Sequence, residues 1–209
     1  MKNILYFAII LSLVFASSCS KNKDDGTWTT SLGKARFATA QTWAISDGGI
    51  TQVWSDAVEI IGAKGTYNSG NLTADFIDFR SNPGQKGSLF SWCAVVETAN
   101  LCPPPWRVPT KDDFINLDKA MGGNGNNRSN SEFDTFVTPK YLGLWGGAFG
   151  GQCNYGGDLV NQGLKAFYWS QSVKDVDHGY NLQFNKNGNI YPQDWSGKGV
   201  GFALRCVRN

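Results

Sequence analysis

The sequence predicts an α+β domain in which antiparallel strands pack with one main helix. Three observations predict it: the composition, a two-residue apolar alternation in several segments, and one segment with a helical period. Charged residues make up 17% of the 209 residues, whereas there are 25 Gly, 8 Trp, 7 Tyr and 13 Phe. This composition is typical of short strands joined by tight turns, and it argues against a helical bundle.

The first strands are predicted near the start of the domain. Phe37, Trp43 and Ile45 fall on one side of a two-residue period. A turn sequence at 47–49 follows, and a second apolar piece runs through Val53-Trp54. We therefore expect a β-hairpin here.

The main helix is predicted over about 110–121. Thr110 is the expected N-cap, and Asp113 three positions later completes a capping box. Gly122-Gly123 ends the helix. Apolar residues spaced by three and four form one buried stripe, which consists of Phe114, Leu117 and Met121.

The last forty residues are predicted to form antiparallel strands. Tyr180, Leu182 and Phe184 alternate before Asn187-Gly188, a common hairpin turn. Alternation from Val200 to Cys206 places the Cys206 side chain toward the interior. Long glycine-rich loops are expected between the helix and these strands.

The amino-terminal segment is predicted to be a secretory signal. A basic start and a short apolar run are followed by small residues at 16–18 and then Cys19. The run is too short for a permanent spanning helix of ~20 residues. Small residues before a cysteine resemble the bacterial lipobox, with Ala16 where Leu is more usual, and the resemblance implies acylation of Cys19, for example with palmitate. More than one acyl chain is needed for a durable anchor.

The expected organisation is therefore a signal peptide over 1–18, a lipid-anchored flexible tether over 19–34 and one domain over 35–209. Lys23-Asp24-Asp25 resembles the export signal of surface lipoproteins in Bacteroidetes-type bacteria. We expect an outer-membrane lipoprotein exposed at the cell surface, with a periplasm-facing position as the alternative.

Charge and cysteine content exclude several classes of partner. The net charge is +2, and +1 without Lys2, which is too low for a phosphate-backbone binder, so nucleic acid is not an expected partner. Four cysteines besides Cys19 would lie in an oxidising compartment, where pairs persist, and they allow three connectivities. Their spacing does not match a zinc site. No metal or cofactor is expected.

Three ordered blocks resemble the Fibrobacter succinogenes major paralogous domain. Residues 102–110 are similar to its C-P-x-G-W-R-x-P-T segment, with Pro105 in place of Gly. Residues 168–172 are similar to its Y-W-S-S-T strand, and residues 201–208 to its closing G-F-S-V-R-C-V-R.

The resemblance implies a fold related to C-type lectins and no catalytic residues. It also suggests that Cys102 pairs with Cys206, which would leave Cys93 and Cys153 as the remaining pair. A local bridge between Cys93 and Cys102 is the alternative. The ligands of the family are largely unknown.

The candidate ligand-binding residues lie in two segments, 141–163 and 185–198. Aromatic rings in glycine-rich loops can form platforms for sugar rings, with polar neighbours offering hydrogen bonds. The alternative is that these rings fill the core, as expected for Trp106 and Trp169. The candidates are Tyr141, Trp145, Phe149, Asn154, Tyr155, Asp158, Asn161 and Gln162 in the first segment, and Asp194 and Trp195 in the second.

Asp194 and Trp195 belong to a stretch that is the nearest counterpart of a calcium-lectin motif, but it is better explained as a strand edge with a turn. His178 beside Asp177 superficially resembles an acid–base pair. Adjacent strand residues point to opposite faces, so a surface histidine is the better interpretation. The sequence thus predicts a non-catalytic binding module for extracellular glycan or protein. A structural or adhesion subunit is the first alternative, and a hydrolase the second.

Overall fold

The computed structural model describes residues 25–46, 49, 51–62, 65, 67, 74–77, 84–129 and 132–209. The signal peptide predicted over 1–18 and the predicted lipidation site, Cys19, lie outside the described residues. Within the described part of the chain, no helix is long and apolar enough to cross a membrane.

The secondary structure consists of many short strands and three helices in the described residues. The strands are β1 (Thr27–Thr30), β2 (Gly33–Phe37), β3 (Thr42–Ser46), β4 (Thr51–Ile60), β5 (Phe76–Ile77), β6 (Leu89–Phe90), β7 (Arg128–Ser129), β8 (Gln152–Cys153), β9 (Leu159–Val160), β10 (Lys165–Val173), β11 (His178–Asn185), β12 (Asn189–Gly197) and β13 (Arg205–Arg208). The helices are α1 (Trp92–Glu97), α2 (Lys111–Ala120) and α3 (Phe133–Leu144).

Two antiparallel sheets organise the domain. A five-stranded sheet has the order β1-β2-β4-β13, with β3 paired to β4, and a four-stranded sheet has the order β10-β11-β12-β7. The two predicted hairpins are present, one between β3 and β4 and the other between β11 and β12. The α+β class with antiparallel strands is therefore confirmed.

The domain begins earlier than the sequence predicts. Strand β1 pairs with β2 from Thr27↔Arg36 to Thr30↔Gly33. Residues 27–34 are thus part of the first sheet, and the flexible tether predicted over 19–34 does not extend to residue 34. Its threonines and Trp28 favour a strand. The segment is too short, however, to show the two-residue apolar alternation by which strands were predicted.

Helix α2 forms as its capping residues predict. The Thr110 hydroxyl accepts the Asp113 amide, and the Asp113 carboxylate accepts the Thr110 amide at 2.7 Å. Arg107 adds a bidentate ion pair to the same carboxylate, which lowers the pKa of Asp113. The predicted apolar stripe is buried, and it consists of Phe114, Leu117 and Met121.

Strand β10 separates two cores. Ala166 and Tyr168 belong to the core beneath α2 and α3, whereas Phe167 and Trp169 belong to the core around α1. This alternation follows from the two-residue period of a strand. The burial of Trp169 agrees with its expected place in the core.

Two helices were not predicted from the sequence. Helix α1 has Ser91 as its N-cap, whose hydroxyl accepts the Ala94 amide at 3.2 Å. Helix α3 has π-type hydrogen bonding, as in the bond from the Val137 amide to the Glu132 carbonyl. Residues 141–144, predicted as the start of a loop, are its last residues.

The cysteines form one disulfide rather than two among the described residues. Cys102 and Cys206 are bonded, with Cα atoms 5.7 Å apart. Their separation of 104 residues makes this a long closed loop, which stabilises by ~4–5 kcal/mol in the chain-entropy model. Cys93 and Cys153 are free and buried, so the remaining pair suggested above is not formed, and neither is the Cys93–Cys102 alternative.

Candidate functional site

The aromatic platform predicted over 141–163 is divided between core and surface. Tyr141 and Trp145 have no exposed surface, so the expectation that they bind a ligand is corrected. The Tyr141 hydroxyl donates to Asp118 Oδ1 at 2.8 Å, and Asp118 also accepts two hydrogen bonds from Arg128. Burial raises the pKa of Tyr141 well above its ordinary value. Tyr141 therefore connects α3 to the end of α2.

Trp145 is buried because it stacks on a buried cation. The Arg205 guanidinium is 1% exposed and lies 4.1 Å from the centroid of the Trp145 ring and 4.3 Å from that of Trp43. Arg205 Nε donates to the Ser55 carbonyl and Nη1 to the Trp145 carbonyl, both at 2.6 Å. Arg205 Nη2 has no hydrogen-bond partner in the described part of the chain. Burial lowers the pKa of this guanidinium to about 10.

Asn154 and Asp158 shape the turn between β8 and β9. Asn154 Oδ1 accepts the amides of Gly156 at 2.8 Å and of Asp158 at 2.9 Å. The Asn154 side-chain oxygen is therefore used by the turn itself. Tyr155 projects from this turn with 51% of its surface exposed. Phe149, in contrast, packs against Phe184 with their ring centroids 5.7 Å apart.

Tyr155 lies close to the second predicted segment. A Cβ atom at Gly197 of β12 would overlap the Tyr155 hydroxyl, so this phenol rests on the backbone of β12. Trp195, two residues earlier on the same face of the strand, is 49% exposed. The two predicted loops thus contribute aromatic residues to one surface.

The neighbouring strand completes this surface. Tyr180 of β11 is the direct cross-strand partner of Trp195, and His178 is that of Gly197. The His178 ring meets the Trp195 ring edge-on, with centroids 4.8 Å apart. Lys174 Nζ lies 5.6 Å from the Trp195 centroid. We call this set the Trp195 surface, and it consists of Tyr155, Lys174, His178, Tyr180 and Trp195.

The loop between β10 and β11 holds His178 and Lys174 in place. Asp175 Oδ1 lies 2.7 Å from His178 Nδ1 and accepts the amides of Asp177 and His178. These contacts lower the pKa of Asp175, chiefly through the His178 ring. Lys198 Nζ donates to the Val176 carbonyl at 2.8 Å from the other side. The imidazole is therefore oriented by Asp175 and not by Asp177, its neighbour in the sequence.

Asp194 does not share this surface. Its cross-strand partner is Asn181, one position from the Tyr180–Trp195 pair, so its side chain points to the opposite face. Desolvation raises the pKa of Asp194. No group of three or more His, Cys, Asp or Glu side chains in the described residues is placed to hold a metal ion.

A second concave region lies beside Trp106. This groove of about 480 Å³ is lined by Phe37, Trp106 and polar residues that include Thr42. Trp106 is only half-buried: its ring contacts Phe37 at 5.4 Å, and Arg208 stacks on it at 4.6 Å. Trp106 therefore packs against the core around α1, as expected, and also lines the groove. We call this region the Trp106 groove.

No family model, curated protein or solved structure matches this chain. The resemblance to the Fibrobacter succinogenes major paralogous domain therefore rests on the three sequence blocks described above, and the C-type-lectin-like fold that it implies stays a prediction.

Three residues of the Trp195 surface, Lys174, His178 and Tyr180, were not predicted as ligand-binding residues. The signal for Tyr180 was in the sequence, because a two-residue turn at Asn187-Gly188 pairs residue 180 with residue 195. The observed register has this pair, Tyr180↔Trp195. Near the turn the register is shifted by one residue, as in Phe184↔Ile190, and an irregularity between Asn181 and Gln183 removes the shift. Lys174 gives no such signal, because it lies in the loop that follows β10.

Proposed function

We propose that this chain is a lipid-anchored, non-catalytic binding module that binds extracellular glycan on the Trp195 surface. The observation that carries the proposal is the cross-strand pair of half-buried Tyr180 and exposed Trp195 in the four-stranded sheet. The signal-like segment 1–18 and Cys19 support the anchor, and their pattern favours an outer-membrane lipoprotein facing the cell exterior.

The chemistry of this surface suits a sugar better than a fully apolar ligand. Sugar rings have apolar C–H faces and hydroxyl groups around their edges, so they suit a flat aromatic ring with polar groups beside it. Trp195 supplies the ring, and the Tyr155 hydroxyl and the His178 imidazole lie at its border. Exposed aromatic groups on a sheet lose little conformational freedom on binding.

The decisive experiment is a glycan array with the full-length chain purified in detergent. We expect binding to a subset of polysaccharides, and we expect Trp195→Ala to reduce it at least tenfold. Leu144→Ala is the matched control, because Leu144 is 46% exposed on α3, outside the Trp195 surface. Binding to no glycan, or equal binding by the Trp195→Ala protein, would contradict the proposal.

The anchor is tested separately. Metabolic labelling with an alkyne-bearing fatty acid should modify the wild-type chain and not Cys19→Ala. Biotinylation of intact cells then separates the two positions, since an outward-facing chain is labelled and a periplasm-facing chain is labelled only after the outer membrane is opened. Intact, unacylated protein in the cytosol would contradict the anchor.

The Trp106 groove favours a second candidate function, a structural or adhesion subunit that holds a protein partner. The groove is lined in part by Asp25, and its half-buried aromatic residues are of the kind that protein interfaces use. Capture from solubilised envelope should then give a partner in constant ratio, and Trp106→Ala should release it. Trp195→Ala should retain that partner, which distinguishes this function from glycan binding.

A further inference from the structure

The Trp195 surface carries two ammonium groups beside its two central rings. Lys174 Nζ lies 5.6 Å from the centroid of Trp195, and Lys111 Nζ lies 5.0 Å from that of Tyr180. Lys111 is the first residue of α2, and its amide donates to the Ser172 hydroxyl at 3.0 Å. The two lysines thus come from different elements and meet at the same pair of rings.

In the described part of the chain, neither Lys111 nor Lys174 forms an ion pair with a carboxylate. Asp175, the acidic group nearest in the chain to Lys174, accepts hydrogen bonds from its own loop and from His178. Asp112 and Asp177 are the other exposed acids on these elements. The cations therefore stay available to a ligand that covers the rings.

The loop that carries Lys174 is already organised. The amides of Lys174 and Asp175 both donate to the His178 carbonyl, at 3.0 and 3.2 Å, and the Lys198 amide donates to the Asp177 carbonyl at 2.8 Å. A loop held by such bonds needs little ordering when a ligand binds, so its charge can contribute to affinity.

We propose that the glycan bound on this surface is an acidic one, whose uronic-acid carboxylates pair with Lys174 and Lys111 while its rings stack on Trp195 and Tyr180. This inference rests on the proposed function and names its ligand class. A neutral sugar would satisfy the rings and leave both ammonium groups without a partner. The carboxylate of a uronic acid projects from the edge of the sugar ring. When the sugar ring stacks on Trp195 or Tyr180, its carboxylate can therefore reach the lysine beside that aromatic ring.

The test compares one saccharide with and without its charge. An oligogalacturonate and its carboxyl-reduced, neutral counterpart are titrated into the full-length chain in detergent. We expect the acidic form to bind more tightly, and the preference to shrink between about 0.02 M and about 0.3 M salt because exposed charges are screened. Polyglutamate, which has carboxylates but no sugar ring, should bind weakly.

The lysines are then removed one at a time. Lys174→Gln and Lys111→Gln should each lower affinity for the acidic form roughly two- to fivefold, the range of an exposed ion pair. The double variant should bind both forms with equal affinity. Lys119 is an exposed lysine at the other end of α2. Lys119→Gln is therefore the control, and it should not change the affinity for either form.

The outcomes separate the two proposals. Equal binding of both forms by the wild-type chain, a preference that survives in the double variant, or tight binding of polyglutamate would overturn the acidic ligand and leave glycan binding intact. Binding of neither form, together with an empty glycan array, would overturn both. Circular dichroism of each variant confirms that the fold is retained.

Discussion

Two tryptophans of this domain each lie beside a cation, and their surroundings differ completely. Trp145 is fully buried against the guanidinium of Arg205, which is enclosed by a second ring and bonded to two carbonyl groups. Trp195 is half-exposed, and Lys174 reaches it from solvent. The same pairing of cation and ring is buried in the fold in one place and stays accessible in the other, where we propose that a ligand binds.

Removing the two rings gives the largest expected contrast. Trp145→Ala should lower the free energy of unfolding by about 3–5 kcal/mol, because it leaves a cavity and exposes the buried guanidinium. Trp195→Ala should change it by less than about 0.5 kcal/mol, since its ring is half in solvent. Urea titrations of both variants, followed by tryptophan fluorescence and circular dichroism, measure the difference. Similar losses in the two variants would show that Trp195 belongs to the core.

The cations should show the next largest contrast. Arg205→Met removes the donors to the Ser55 and Trp145 carbonyls, and we expect a loss of about 2–4 kcal/mol because both carbonyls stay buried. Arg208→Met is the matched variant, since Arg208 also stacks on a tryptophan, Trp106, but at the groove. Its cost should stay below about 1 kcal/mol. Equal losses of unfolding free energy in the same urea titration would mean that burying Arg205 between Trp43 and Trp145 adds no stability.

Two tyrosines from the same predicted segment provide a third contrast. Tyr141→Phe removes the hydrogen bond to buried Asp118, and it should lower the free energy of unfolding by about 1–2 kcal/mol. Tyr155→Phe removes the hydroxyl of a side chain that is half in solvent, and it should leave stability unchanged within error while weakening glycan binding. A stable Tyr141→Phe protein would show that Arg128 alone satisfies Asp118.

Local signals in the sequence were sufficient to predict helix α2 and the carboxy-terminal strands. Thr110 and Asp113 define the start of α2, Asn187-Gly188 defines the β11–β12 hairpin, and alternation places Cys206 inside. Helix α3 was not predicted because Pro139 and Gly143, which disfavour a helix, lie inside it. Its π-type hydrogen bonding also gives no 3.6-residue period in the sequence. Strand β1 was predicted as part of the tether because its four residues show no apolar alternation.

The site was only partly predictable, because burial of a loop aromatic depends on distant residues. Trp145 is covered by Arg205, which is 60 positions away in the chain. Nothing near Trp145 in the sequence distinguishes it from Tyr155. Trp195 and Tyr155 were identified as candidates, but their common surface depends on Tyr155 lying against Gly197 of β12, a long-range contact that no local signal indicates.

The last contrast is a dependence of stability on pH, which the buried Cys153 thiol should produce and Tyr155 should not. Burial raises the pKa of the Cys153 thiol from 9.0 to about 12, with a further contribution from Asp158. In the unfolded chain the thiol ionises from about pH 9, whereas in the folded chain it keeps its proton, so stability falls as pH rises from about 9 to 12. Cys153→Ala should make that decline shallower, and Tyr155→Phe should leave its slope as in the wild-type chain. Urea titrations at several alkaline pH values measure the slopes, and an unchanged decline in Cys153→Ala would assign it to other buried groups such as Tyr141.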